Sequence, residues 1–119
     1  SEQRLRQSFD AGLAAFWWSH VPNERMDEFL TCFHRHLEAG ARVVLLDNAY
    51  AAGSSTPVSR RDAAGNTYQL RTLEDGSAYE VLKNFPERER FVAQLERIGD
   101  EVDYTELEYY WYASYRLKT

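Results

Sequence analysis

Hydrophobic residues along the chain fall into short runs separated by polar turns, and the first part shows the order strand, helix, strand. Apolar side chains recur at helical spacing between Asn23 and Ala39, and the run Val43–Leu46 is apolar at every position. A run without alternation is typical of a strand that helices cover on both faces. The pattern predicts adjacent parallel strands at Ala11–Trp18 and Arg42–Asp47, joined by the helix in a right-handed crossover.

Polar residues and a glycine set the expected bounds of that helix. Asn23 follows Pro22 and is a good N-cap, and Gly40 is typical of the left-handed position after a helix end. His34 and His36 then lie near the helix end. Because residues two apart point to different faces, we expect solvated histidines rather than a metal site.

The middle of the chain changes character after the second strand. Ala49–Ala64 is rich in glycine, serine, proline and arginine and has no periodicity, so it is either a lid over the sheet or a plain surface connector. Asn66–Leu73 and Ala78–Leu82 alternate and flank an Asp-Gly turn, which predicts an inserted β-hairpin.

The last third predicts one more helix and a closing β element. Pro86 suits the first turn of a helix whose apolar face ends at Gly99, where we expect the helix to stop. Asp103–Leu117 is the most aromatic part of the chain and predicts a closing hairpin or one long bent strand. We therefore expect residues 1–119 to form a single α/β domain.

Charge and cysteine content narrow the functional classes. The 14 basic and 19 acidic side chains leave a net charge of -5, which disfavours nucleic acid and polybasic membrane contacts and leaves a small molecule as the expected partner. The single cysteine, Cys32, excludes a disulfide framework within one chain and fits a cytoplasmic location. No run of 18 apolar residues predicts a membrane span.

Several motifs together carry a resemblance to a known family. They are Phe9-Asp10 before the first strand, Ser19-His20-Val21-Pro22 after it, Gly65-Asn66-Thr67-Tyr68-Gln69, and Val81-Leu82-Lys83-Asn84-Phe85-Pro86. With them the chain resembles one bacterial branch of the class I S-adenosylmethionine-dependent methyltransferases. The family's GxGxG cofactor turn would precede Phe9, so the resemblance implies the C-terminal half of the fold. We then expect a partial Rossmann-like sheet of mixed parallel and antiparallel strands, with flanking helices and an inserted hairpin.

The resemblance also implies roles for the residues that follow the first strand. They would lie beside the sulfonium of S-adenosylmethionine, with Phe16, Trp17 and Ser19 against the cofactor and His20 as the base available at neutral pH. Two other interpretations stay open: Trp17 and Trp18 as core residues, and His20 as a loop residue that holds the turn before Pro22.

The resemblance also implies substrate contacts at the end of the second strand and on the hairpin. The residues are Asn48, Tyr50, Tyr68 and Arg71. Asp47 and Asn48 are equally suited to capping the following loop, and a solvated hairpin face is the alternative for Tyr68, Gln69, Arg71 and Lys83. If the site interpretation holds, His20, Asn48 and Tyr50 converge in one cavity.

Two further expectations concern the chain as a whole. Without the GxGxG portion, the chain alone is expected to bind S-adenosylmethionine poorly and to be inactive, so a non-catalytic binding or interaction domain is the alternative function. The apolar run Ala11–Trp18 lacks lysine and proline, and we expect it to be an unpaired edge that forms a homo-oligomer.

Overall fold

The computed structural model describes residues 9–118, which form a four-stranded sheet, a smaller three-stranded sheet and two helices. In chain order the elements are β1 (Phe9–Ala15), 3₁₀ turns at Trp18–His20 and Asn23–Arg25, α1 (Met26–His34), β2 (Leu37–Asn48), β3 (Val58–Arg61), β4 (Thr67–Thr72), β5 (Ala78–Leu82), α2 (Arg88–Ile98), β6 (Gly99–Glu106) and β7 (Tyr110–Leu117).

The main sheet has the strand order β1-β2-β7-β6 and mixes two kinds of pairing. β1 and β2 are parallel, with Ala14 opposite Leu45, and α1 lies between them in sequence. β2 pairs antiparallel with β7, and β7 with β6. The predicted parallel pair, the mixed sheet and the closing hairpin are therefore confirmed.

The helices cover one face of this sheet, and along β2 buried side chains therefore alternate with more exposed ones. Val43 and Leu45 of β2 are fully buried, and they pack in one core with Leu30 of α1 and Leu95 of α2. Val44 and Leu46 point to the other face and are only half-buried. The expectation of helices on both faces was wrong for the described residues, because an all-apolar run does not reveal which face is covered.

The first strand ends three residues earlier than predicted, because the backbone reverses at Phe16. That residue has a φ of 64°, a left-handed conformation that is rare for an aromatic side chain. The reversal sends Trp17 outward, where it is 67 % exposed, and carries Trp18 inward to 6 % exposure. The core interpretation thus holds for Trp18, while Trp17 is available at the surface.

The predicted bounds of the first helix were wrong at both ends. Asn23 begins a 3₁₀ turn, and its side chain donates to the Ala64 carbonyl instead of capping α1. The helix stops at His34. Gly40 does adopt a positive φ of 80°, but it does so inside β2, where the pairing with β1 shifts register.

Two further boundaries differ from the prediction. The stretch Ala49–Ala64 contains β3, which pairs with β4 and converts the expected hairpin into the three-stranded sheet β3-β4-β5. Gly99 ends the second helix as predicted, but it also begins β6, four residues before the predicted Asp103, and has an extended φ of -147°. The ring of Tyr115 lies where a side chain would project, since a Cβ on Gly99 would meet it at 2.5 Å.

His34 packs against the core rather than being a solvated helix residue. Its Nε2 lies 2.5 Å from the hydroxyl of Tyr115, which is fully buried. Burial raises the pKa of Tyr115, so the phenol keeps its proton and donates it to His34. Burial also lowers the pKa of His34, because desolvation disfavours the imidazolium. His34 in the folded chain is therefore neutral at pH 7.

This pair makes the free energy of unfolding depend on pH. The folded-state pKa of His34 lies below its unfolded value of about 6.5, so its contribution is complete above that pH and is lost as the pH falls through the lowered folded pKa. We predict that His34→Gln flattens the stability profile between about pH 7 and pH 5, measured by urea unfolding.

His36 provides the matched control because it is exposed at the end of the same helical segment. We expect His36→Gln to keep the slope of the wild-type protein. Equal slopes for His34→Gln and wild type would contradict the buried-histidine account.

Candidate functional site

A buried carboxylate lies where the parallel strands β1 and β2 end. Asp47, near the end of β2, has no exposed surface. Its Oδ2 accepts a 2.8 Å bond from the backbone N–H of Ser19, in the turn after β1, and its Oδ1 accepts a 2.7 Å bond from the N–H of Asn48. One side chain thus joins the carboxyl ends of both strands, the edge at which open α/β sheets bind ligands.

Lys83 completes this arrangement from the second sheet. Its ammonium donates to Ser19 Oγ at 2.9 Å, to Asn48 Oδ1 at 2.9 Å and to Asp47 Oδ1 at 3.3 Å. The Lys83 side chain is 9 % exposed, so the ion pair with Asp47 is largely desolvated. The expected solvated hairpin face was wrong for this residue, because Lys83 follows β5 at the point where the chain returns to the main sheet.

The segment Leu82–Phe85 also contacts the other two residues that were expected to converge. The carbonyl of Leu82 lies 2.9 Å from Nδ1 of His20, and the ring of Phe85 meets that of Tyr50 edge to face at 5.3 Å. His20, Asn48 and Tyr50 are therefore each held by this one segment. Their convergence in a single cavity stays a prediction.

A second set of buried polar contacts fixes the two sheets together. Oδ1 of Asn66 accepts from the N–H of Asn23 at 2.7 Å and from Nδ2 of Asn84 at 3.0 Å. Oδ1 of Asn84 accepts from the N–H of Thr67 at 2.8 Å, and the N–H of Asn84 donates to the carbonyl of Ser19 at 2.7 Å. These motif residues thus dock β4 and β5 onto the turns that follow β1.

Tyr68 and Arg71 lie on β4, and their contacts are within the three-stranded sheet. The Tyr68 hydroxyl donates to Asp62 at 3.0 Å, and the guanidinium of Arg60 lies 4.0 Å from the centre of its ring. The pKa of the Asp62 carboxyl is below its usual range, mainly because this group accepts a hydrogen bond from the side-chain amide of Asn66. Arg71 is exposed and donates to Gln69, which is buried and not on a solvated face as expected.

The three residues implied for the cofactor differ in exposure. Phe16 is 48 % exposed and Trp17 is 67 % exposed, so both rings are accessible beside the end of β1. Ser19 has no exposed surface, and its N–H, carbonyl and hydroxyl are all engaged by Asp47, Asn84 and Lys83. Its observed role is to hold the turn.

Sequence reasoning named Lys83 only as one of several polar hairpin residues that could fold over the pocket, and it missed Asn84 as part of this site. The available signal was their position in Val81-Leu82-Lys83-Asn84-Phe85-Pro86, where two polar residues stand between apolar neighbours. Across residues 9–118 no group of three or more histidine, cysteine or acidic side chains is placed to hold a metal. In the same part of the chain no helix is long and apolar enough to cross a membrane.

Two solved structures share this fold. The complex of DhpI with SAH matches with a TM-score of 0.69 and 22 % identity, over 95 % of this chain and 49 % of that one. The complex of DhpI with SAM and HEP matches with a TM-score of 0.66 and 22 % identity, over 91 % of this chain and 50 % of that one. The chain thus spans about half the length of each.

The match confirms the fold class expected from the sequence, an α/β fold with a mixed parallel and antiparallel sheet and flanking helices, as part of a longer fold. No family model and no curated protein matches the chain. The evidence on function therefore comes from the residues at the carboxyl ends of β1 and β2.

The buried ion pair gives a stability prediction. Lys83→Met leaves the Asp47 carboxylate buried without a cation, and we expect it to lower the free energy of unfolding by about 3–5 kcal/mol. Adding Asp47→Asn removes the stranded charge and is expected to restore part of that loss. Urea unfolding of the single and double variants measures both effects.

Arg71→Met is the matched control, since it removes an exposed cation from the same small sheet. We expect it to change the free energy of unfolding by less than about 0.5 kcal/mol. A loss below about 1 kcal/mol for Lys83→Met would contradict the buried pair.

Proposed function

We propose that the chain forms the C-terminal, acceptor-side half of a methyltransferase that moves the methyl group of S-adenosylmethionine to a small molecule. The observation that carries this proposal is the junction of Ser19, Asp47, Asn48 and Lys83 at the carboxyl ends of parallel strands in a methyltransferase fold. The matched DhpI structures, which hold SAM or SAH, support the choice of cofactor.

Methyl transfer from S-adenosylmethionine requires few catalytic groups from the protein. The methyl group of S-adenosylmethionine is activated by its sulfonium, so the residues around it align the acceptor and, for some acceptors, remove a proton. In our proposal, the exposed rings of Phe16 and Trp17 contact the cofactor, and buried Ser19 supports them by fixing the turn after β1.

His20 is the base in this proposal, and its tautomer follows from its partner. The carbonyl of Leu82 can only accept a hydrogen bond, so Nδ1 of neutral His20 carries the proton and donates it. Nε2 is then the nitrogen with a free lone pair. Because His20 is exposed, this lone pair is accessible to the proton of an acceptor.

A hydrogen bond also fixes the orientation of the Asn48 side-chain amide. An ammonium has only donors, so Lys83 must meet the side-chain oxygen of Asn48, and the NH₂ group of Asn48 is left to donate. We therefore propose that Asn48 binds an oxygen of the acceptor. Tyr50, packed edge to face on Phe85, forms an adjacent wall, and Tyr68 and Arg71 contribute more distant substrate contacts.

Methyl transfer by the gene product that contains this chain tests the proposal. The assay supplies S-adenosylmethionine with a labelled methyl group and a pool of small acceptors, with HEP included because a matched structure is a complex with SAM and HEP. We expect His20→Gln to lower the rate by about 10²–10⁴-fold, the usual contribution of a general base.

His36→Gln is the control, since it changes an exposed histidine at the far end of α1. A rate for His20→Gln equal to that of His36→Gln would remove His20 from the mechanism. Cofactor binding without transfer to any acceptor would instead favour the alternative, a non-catalytic binding domain.

We also propose that the protein assembles through β1. This strand is at the edge of the main sheet and has β2 as its one partner among residues 9–118. Its neighbourhood exposes large apolar side chains, namely Phe9 at 56 %, Leu13 at 65 % and Trp17 at 67 %. An edge of this kind is a template for another strand.

Light scattering at micromolar concentration measures the assembly. We expect the wild-type chain to be a dimer or larger, and Leu13→Glu together with Trp17→Glu to be monomeric, because charged side chains block edge pairing. A monomeric wild-type chain would show that β1 is not used in this way.

A further inference from the structure

A cleft of about 540 Å³ lies between the two helices and the three-stranded sheet, and its walls include neither His20 nor Asn48. Buried Trp18, Met26 and Phe91 form its apolar part. Arg61 and Arg97 add charged groups from opposite sides, one from β3 and one from α2. The volume falls in the range of small-molecule sites, and the mixture of apolar wall and few polar groups is typical of them.

The indole ring of Trp18 lines this cleft, but its N–H group has no surface open to the cleft. The side chain is 6 % exposed, and its Nε1–H is buried without an acceptor in the described part of the chain. Trp111 has an unsatisfied indole N–H as well, but it does not line the cleft. Because the ring of Trp18 is part of the wall, its indole N–H signal reports a ligand in the cleft without a hydrogen bond to it.

The charges in the cleft favour an anion. Three arginines and two carboxylates line it, and the carboxylates have partners: Glu87 lies 3.7 Å from Arg90, and Asp27 accepts from Gln94 at 3.1 Å. Arg61 and Arg97 form no ion pair within residues 9–118, and Arg61 donates only a 3.4 Å bond to the carbonyl of Gly65. Two guanidinium charges are thus available to a ligand.

Arg61 also stands between two cavities. A second cavity of about 300 Å³ shares Asn23, Arg61, Gly65 and Phe85 with the first. A ligand held by Arg61 is therefore next to Phe85, the residue that packs on Tyr50.

We propose that this cleft is a separate binding site for a small organic anion with a flat apolar body. Arg61 and Arg97 bind the acidic group, and the rings of Trp18 and Phe91 contact the body. The site is independent of methyl transfer, so its failure leaves the proposed function unchanged.

Nuclear magnetic resonance on the ¹⁵N-labelled protein tests this with a matched series of probes. Indole-3-acetate has the anion and the flat body, tryptamine reverses the charge, and inorganic phosphate lacks the body. We expect indole-3-acetate to shift the indole N–H signal of Trp18 in a saturable way, while tryptamine and phosphate leave it in place.

Arginine variants connect the signal to the cleft. Arg61→Gln and Arg97→Gln are each expected to raise the dissociation constant for indole-3-acetate about tenfold, the usual effect of losing one charge-assisted hydrogen bond. Arg35→Gln, an exposed position outside the cleft, is expected to leave it unchanged. The amide spectrum of each variant checks that it is folded.

Three results would overturn the site. They are equal binding of tryptamine, no difference between Arg61→Gln and Arg35→Gln, and shifts that centre on the apolar cavity beside Leu13, Trp17 and Phe29.

Discussion

The ammonium of Lys83 and the carboxylate of Asp47 are buried together, and the arrangement of the molecule depends on that pair. A charge removed from water needs a counter-charge and hydrogen bonds, so each group fixes the position of the other. Lys83 follows the last strand of the small sheet, Asp47 lies on β2, and both contact Ser19 after β1. Three segments far apart in sequence are thereby held at one edge of the main sheet.

The same principle explains why polar motif residues are inside the molecule. Asn66, Thr67 and Asn84 hydrogen-bond with one another and with backbone groups, which secures the three-stranded sheet to the turns after β1. Their role is to position, and in the proposed site the groups that meet ligands are the imidazole of His20, the amide of Asn48 and the ring of Tyr50. Phe85, which packs on Tyr50, is a common wall of the two cavities.

Elements that depend on local pattern could be predicted from the sequence, whereas features that depend on long-range contacts could not. The parallel pair β1 and β2 and the hairpin β6–β7 were readable from runs of apolar residues. β3 was not, because Val58–Arg61 has no alternation and becomes a strand only by pairing with β4. The burial of Lys83 depends on partners 36 and 64 residues away, which no local pattern contains.

Side-chain ammonium signals of the ¹⁵N-labelled protein test the junction most directly, because the chain has two lysines, Lys83 and Lys118. Lys118 is exposed, and its ammonium donates to the carbonyl of Glu96, so it is the internal control. A buried Lys83 predicts one ammonium signal in slow exchange with water, and this signal should be absent from Lys83→Met. Two lysines in equally fast exchange would contradict a buried Lys83 and, with it, the junction on which the candidate site rests.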